Sequence, residues 1–219
     1  VGLIGLIVAF LIAFGVTAAG SSGLTQKIFE RVGIERPVIV SLAFGTTIAA
    51  NYAIRNPGKV RGLVLGAWSE MHDAFQYFER WERYSKQAAQ VLEKEGREAL
   101  IALLRDQGGK SIYKVIPVDS PVREKVIQLF ASHPLGEYQR GMLEFGMSVP
   151  DLVPAFKQLD LPVLGVCGAD DPYPDQPEVL HDMANFREAP RIPGAARFVH
   201  WEKPAEFNAA LRAFLRSLP

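Results

Sequence analysis

Few residues in this chain are placed to do chemistry, and the most informative position among them lacks a reactive atom. The β-branched run Val38 to Val40 enters a tight small-residue turn, Ser41-Leu42-Ala43-Phe44-Gly45, which opens directly into the apolar-periodic segment Thr46 to Ile54. Strand, turn and helix in that order form the setting in which a G-x-S-x-G turn presents a serine nucleophile. Here the serine's position holds Ala43, whose methyl neither attacks a carbonyl nor donates a hydrogen bond. Ser41, two residues earlier, points along the strand and is a poor substitute. Cys167 ends the apolar run Pro162 to Val166 and reads as a buried strand cysteine in a reducing compartment. As the single cysteine it forms no intrachain disulfide and no Cys-based metal cluster. His72, His133 and the pair His181-Asp182 share no spacing with a zinc or iron site, so no metal and no cofactor is expected.

The elements that must position these residues alternate between strand and helix. Leu24 to Val32 carries a helical stripe at Leu24, Ile28, Phe29 and Val32, ended by Gly33. A strand over Val38 to Leu42, a helix from Gly45 to Arg55 stopped by Asn56-Pro57-Gly58, and a strand over Gly62 to Gly66 make a βαβ crossover, which demands a parallel sheet. From Trp68 to Pro150 charged helical patterns replace strand signals, with Gly108-Gly109 and Asp119-Ser120-Pro121 as punctuation and Ser120 expected to cap a helix over Val122 to Ala131. The α/β rhythm returns with a strand over Val163 to Cys167, a helix over Glu178 to Ala184, a weak strand over Ala189 to Ile192 and a closing helix over Ala205 to Leu218. The expected division is an apolar segment over 1–23, an α/β core formed by 24–67 with 151–219, and a helical insertion over 68–150 that forms a lid at the strand C-terminal ends.

Composition excludes several partners. The 24 basic and 24 acidic residues balance, with no long same-sign run, which argues against nucleic acid or an acidic surface. At 219 residues the chain suits one domain with an insertion. Val1 to Ala19 holds no charge, and the first charged residue is Lys27. Two readings of it stand: Leu11 to Phe14 as a central strand buried on both faces, or the whole segment as a membrane anchor. They imply a cytoplasmic protein or a membrane-tethered one.

The turn at Ala43, the segment Leu161-Pro-Val-Leu-Gly-Val-Cys-Gly-Ala-Asp-Asp-Pro-Tyr-Pro174 and the tail Ile192-Pro-Gly-Ala-Ala-Arg-Phe-Val-His-Trp-Glu-Lys-Pro-Ala-Glu-Phe-Asn208 together resemble the α/β-hydrolase superfamily. The likeness is to its branch of capped small-molecule ester, lactone and carbon–carbon bond hydrolases, and it runs over roughly residues 24 to 219. It implies a parallel sheet of the α/β-hydrolase type with an inserted helical cap. It also implies a nucleophile position at Ala43, a triad acid at Asp171 with Asp170 as the adjacent alternative, and an oxyanion donor at the Phe44 backbone N–H. Relatives place the base histidine where this chain has Arg197, in Gly194-Ala195-Ala196-Arg197, and a guanidinium cannot accept the nucleophile's proton. His200, three residues on, reads as a packing or capping residue and as a weak alternative base. The family's second oxyanion donor comes from a His-Gly turn, and the chain contains no His-Gly pair. Its first three strands are expected to be missing or replaced here; Leu11 to Ser22 can be laid over the fourth strand and the loop after it, with Gly15 replacing the loop's Asp.

Three functions follow as alternatives. The first is a non-catalytic hydrolase-fold protein that binds a small apolar ester-like or ketone-like ligand, with Trp68, Phe75, Phe78 and Trp81 as candidate lining residues; with Tyr77 and Tyr84 they equally suit packing within the cap. The second is an active hydrolase of small-molecule esters or carbon–carbon bonds, using Asp171, His200 and an unrecognised nucleophile. The third is an interaction domain tethered to a membrane through residues 1–19.

Overall fold

A computed structural model of the chain describes residues 26–67, 74–106, 119–136, 138–139, 152–171 and 176–219, with the backbone alone for residues 44, 74–82, 84, 106, 176 and 177. The apolar segment over 1–23, with both readings of Leu11 to Phe14, therefore lies outside the described residues. Among the described residues no helix is long and apolar enough to cross a membrane.

Among the described residues four parallel strands lie in the order β1 (Val38–Leu42), β2 (Gly62–Gly66), β3 (Val163–Val166) and β4 (Phe186–Glu188). Val38 pairs with Gly62 and Leu42 with Gly66; Leu63 pairs with Val163, and Val163 with Phe186. Both faces are covered, so the strands are apolar at successive positions rather than alternating with polar ones. Ile39, Leu63, Leu65 and Val163 pack to one side with helix α1 (residues 26–32), helix α2 (Phe44–Arg55) and helix α5 (Val153–Lys157). Val40, Val64, Leu164 and Val166 pack to the other, against Phe207, Leu211 and Phe214 of helix α7 (Pro204–Ser217).

α2 crosses over between β1 and β2 and lies close to the sheet because its buried face is built from Ala49, Ala50 and Ala53. It is fastened to α1 by Tyr52, whose hydroxyl hydrogen-bonds Gln26 Oε1 at 2.7 Å and whose ring meets Phe29 edge-on. Asn56 ends it, with its Nδ2 and its backbone N–H both donating to the Tyr52 carbonyl.

A separate helical block follows β2. Helix α3 (Ala74–Asp106) is two helical stretches that meet at Gly96, where φ of 84° and ψ of −177° is backbone that only glycine adopts without strain. Its second stretch supplies Leu100, Ile101 and Leu104 to an apolar cluster shared with Val126 and Ile127 of helix α4 (Arg123–Ala131).

Several local expectations are corrected. α4 has no side-chain cap: its cap residue is Val122, and Ser120 stands two residues outside it. The helix expected over Glu178 to Ala184 is a short 3-10 segment, Gln176–Leu180, and the last strand comes earlier than Ala189, at Phe186–Glu188. Ile192 makes only an isolated bridge, with Gly168.

Candidate functional site

The C-terminal ends of the strands are joined by a row of backbone hydrogen bonds that sets the geometry of this edge. Ala43 N–H donates to Gly66 at 2.9 Å, Ala67 N–H to Val166 at 3.0 Å, and Ile192 N–H to Cys167 at 3.0 Å. Ala43 stands at the apex of the strand-to-helix turn with φ of 48° and ψ of −123°. This is a sparsely populated conformation for a residue with a Cβ, costing of order 1–3 kcal/mol, and it persists because its surroundings hold it. The Thr46 N–H and hydroxyl both bond the Ala43 carbonyl, which fixes the turn from the helix side.

Gly45 has a smaller part than its place in the turn suggests. A Cβ there would meet only Ser41 Cβ, at an ordinary 3.9 Å, so close helix approach does not require it. Ser41 is buried inside the sheet with its hydroxyl donating to the Val64 carbonyl at 2.9 Å. Phe44 is the first residue of α2, and its backbone N–H heads a helix whose opening N–H groups have no preceding turn to bond. Ala67 repeats the positive φ of Ala43, at 49°, one strand over.

Asp171 and Arg197 meet at the same edge. Arg197 Nη1 donates to both carboxylate oxygens, at 3.4 and 3.5 Å, and the two side chains are 2% and 5% exposed. One nitrogen facing two oxygens at that range is a weaker geometry than a parallel two-nitrogen fork. The pair is assembled by the backbone: Gly168 lies so close to the tail that a Cβ on it would run into the Ala195 carbonyl, and Asp170 N–H donates to that same carbonyl at 2.9 Å. Cys167 is buried just before this turn, and burial, with the negative charge of Asp171 next, pushes its thiol up to about 11.

His200 lies in the short helix α6 (Val199–Glu202), its ring 5.0 Å from that of Trp201, 6.2 Å from Phe207 and 6.3 Å from Phe198. Burial, then the charge of Lys125, holds its pKa down to about 4, so the imidazole is neutral at pH 7. Trp68 and the side chains of Phe75, Phe78 and Trp81 lie outside the described residues. Among the described residues no three His, Cys, Asp or Glu side chains converge as a metal site would require.

Two contributors have partners that no local pattern in the sequence supplies. Gly168 is required by a chain nearly thirty residues away, and Glu202 accepts the Ala196 N–H at 2.9 Å through one oxygen and the Ser120 hydroxyl at 3.0 Å through the other. The Trp-Glu-x-Pro pattern marks the glutamate without saying what it holds.

No family model matches the sequence, and no curated protein matches it. Solved structures do. MenH from S. aureus matches with a TM-score of 0.71 at 18% identity, over 94% of this chain and 77% of its own. MGS-M2, an alpha/beta hydrolase enzyme from a Medee basin deep-sea metagenome library, gives 0.68 at 18% identity, over 95% and 75%. The esterase RhEst1 from Rhodococcus sp. ECU1013 gives 0.68 at 16% identity, over 92% and 73%. Identities this low speak to architecture alone, and together with the parallel sheet and the strained turn after β1 they establish that this chain has the α/β-hydrolase fold.

Proposed function

We propose that this protein keeps a hydrolase scaffold without hydrolase turnover, and that it binds a small apolar ester-like or ketone-like molecule between the strand ends and the helical block, which serves as its cap. The observation that carries this reading is the buried Asp171–Arg197 pair at the C-terminal edge of a sheet whose elbow is occupied by Ala43. In a working triad the carboxylate orients an imidazole that takes the nucleophile's proton. Here it faces a guanidinium, which has no acceptor to offer, and the elbow offers a methyl. Losing such groups costs roughly 10⁶ in turnover, and the losses are not additive.

Catalysis is the competing reading, favoured by the neutral state of His200, since a neutral imidazole can accept a proton. The low pKa of that ring also makes it a poor base. Incubating the protein with a p-nitrophenyl ester separates the two: release of p-nitrophenol no faster than in buffer is expected, and saturable turnover refutes the non-catalytic reading. A melting-temperature rise with an aryl ketone tests the binding half separately.

A further inference from the structure

The tail between Ala195 and Glu202 faces two bodies at once. Ala195 and Val199 are part of the apolar cluster under the sheet, whereas Phe198 and Trp201 pack against the helical block with Val122, Val126 and Ile127. Polar contacts repeat that division. Lys125, in the first turn of α4, places its ammonium 4.2 Å from the centroid of Trp201, which itself stacks on Phe198 at 5.7 Å and 17°. Glu202 is the point where the two sides join: one carboxylate oxygen holds Ser120, at the entry to α4, and the other holds the Ala196 N–H. Ala196 immediately precedes Arg197.

We propose that Glu202 is a two-sided latch through which the seating of α4 sets the position of Arg197, so that displacing the helical block loosens the Asp171–Arg197 pair. A carboxylate suits this task because its two oxygens accept independent hydrogen bonds from different directions, and each charge-assisted bond is stronger than a neutral one. Ser120 and Ala196 are far apart in sequence, so neither local helix nor local turn geometry ties them; the shared carboxylate does. Glu202 is on this account a positioning residue, acting on Arg197 through the backbone at Ala196. The latch acts whether or not the site binds a ligand.

Amide hydrogen exchange in the full chain tests it. Ser120→Ala removes the block's hold on Glu202 without touching Ala196, and Ser120 is partly exposed, so folding is not threatened. The Ala196 amide is expected to exchange about tenfold faster in Ser120→Ala, about 1.4 kcal/mol by the usual conversion, while the Leu63 amide, bonded to Pro162 in the middle of the sheet, is unchanged. Glu202→Gln, which keeps an acceptor for Ala196, is expected to show a smaller increase than Glu202→Ala. An Ala196 amide unmoved by Ser120→Ala would overturn the proposal, because Glu202 would then serve the loop alone. Equal acceleration at Ala196 and Leu63 would also overturn it, as the effect would be general destabilisation.

Discussion

Replacing the buried ion pair one partner at a time, and then both together, is the sharpest test of the edge geometry. With 3.4 Å between Arg197 Nη1 and Asp171 Oδ2, the attraction at an effective dielectric of 20 is about 5 kcal/mol. Removing both ions from water costs several kcal/mol each, so the intact pair contributes little net stability. The asymmetry appears when one partner is deleted. Arg197→Met leaves the Asp171 carboxylate buried without its guanidinium, and Asp171→Asn does the converse; each is expected to lose about 3–5 kcal/mol. The double variant is expected within about 1–2 kcal/mol of the parent, because a buried ion pair replaced by neutral groups is often nearly neutral. Urea unfolding at pH 7, with the slope checked to be constant, reads all four corners of the cycle. A single variant that fails to fold while the double variant folds meets the same expectation. Two singles that each lose less than about 1 kcal/mol and add in the double would refute it, showing the pair to be solvated and uncoupled.

Other outcomes follow from the same geometry. Ala43→Gly is expected to stabilise the protein by about 1 kcal/mol in thermal unfolding, since φ of 48° with ψ of −123° strains a residue with a Cβ; a loss would mean the conformation is not strained. Gly168→Ala is expected to cost about 3 kcal/mol or more, because the backbone it would strike cannot move aside like a side chain. The pKa of His200 falls from 6.5 to about 4 on folding, so the unfolded chain takes up this proton first as the pH drops. The stability linked to His200 is therefore full above about pH 6.5 and declines toward pH 4, by roughly 1–2 kcal/mol once solvent screening of the partly exposed ring is allowed for. His200→Gln is expected to flatten that limb of the pH–stability curve. Ala43→Ser alone is expected to give no esterase activity, whereas Ala43→Ser with Arg197→His gains some; strong activity in the single variant would show that another base serves.

What could be read from the sequence followed where the physical constraint was local. β1 and β2 were legible to their end residues, because Val38 to Leu42 and Gly62 to Gly66 are short apolar runs bounded by Pro37, by the turn at Ala43 and by Asn56-Pro57-Gly58. The apex at Ala43 was legible for the same reason. Asp171 with Arg197 came from spacing within a family likeness rather than from their own neighbourhoods. Phe186–Glu188 was displaced from its expected place because a three-residue edge strand, only partly buried, leaves little hydrophobic pattern. Ser120 looked like a helix cap by type; its Oγ accepts the Val122 N–H only at 3.5 Å, while its hydroxyl donates to Glu202, a partner no local rule could supply. The close approach of the Ala195 carbonyl to Gly168 had no local signal, and neither did Ala67, which shares its register position with the strained Ala43.

The strain at Ala43 gains a different meaning once the backbone bonds around it are considered. In an active hydrolase a strained elbow lifts the nucleophile above the sheet, and the strain is naturally assigned to chemistry. With a methyl at the apex, that account does not explain why the turn holds its shape. The bonds from Ala43 to Gly66, from Ala67 to Val166 and from Thr46 back to Ala43 show that the turn also ends β1, continues the register across three strands and starts α2 over the alanine face. These are requirements of the crossover, and they remain whichever small residue stands at the apex. Relieving the strain with glycine should accordingly raise stability and leave the sheet register intact. A residue branched at Cβ, such as valine, should destabilise by more than the glycine variant gains, because its side chain tolerates positive φ least.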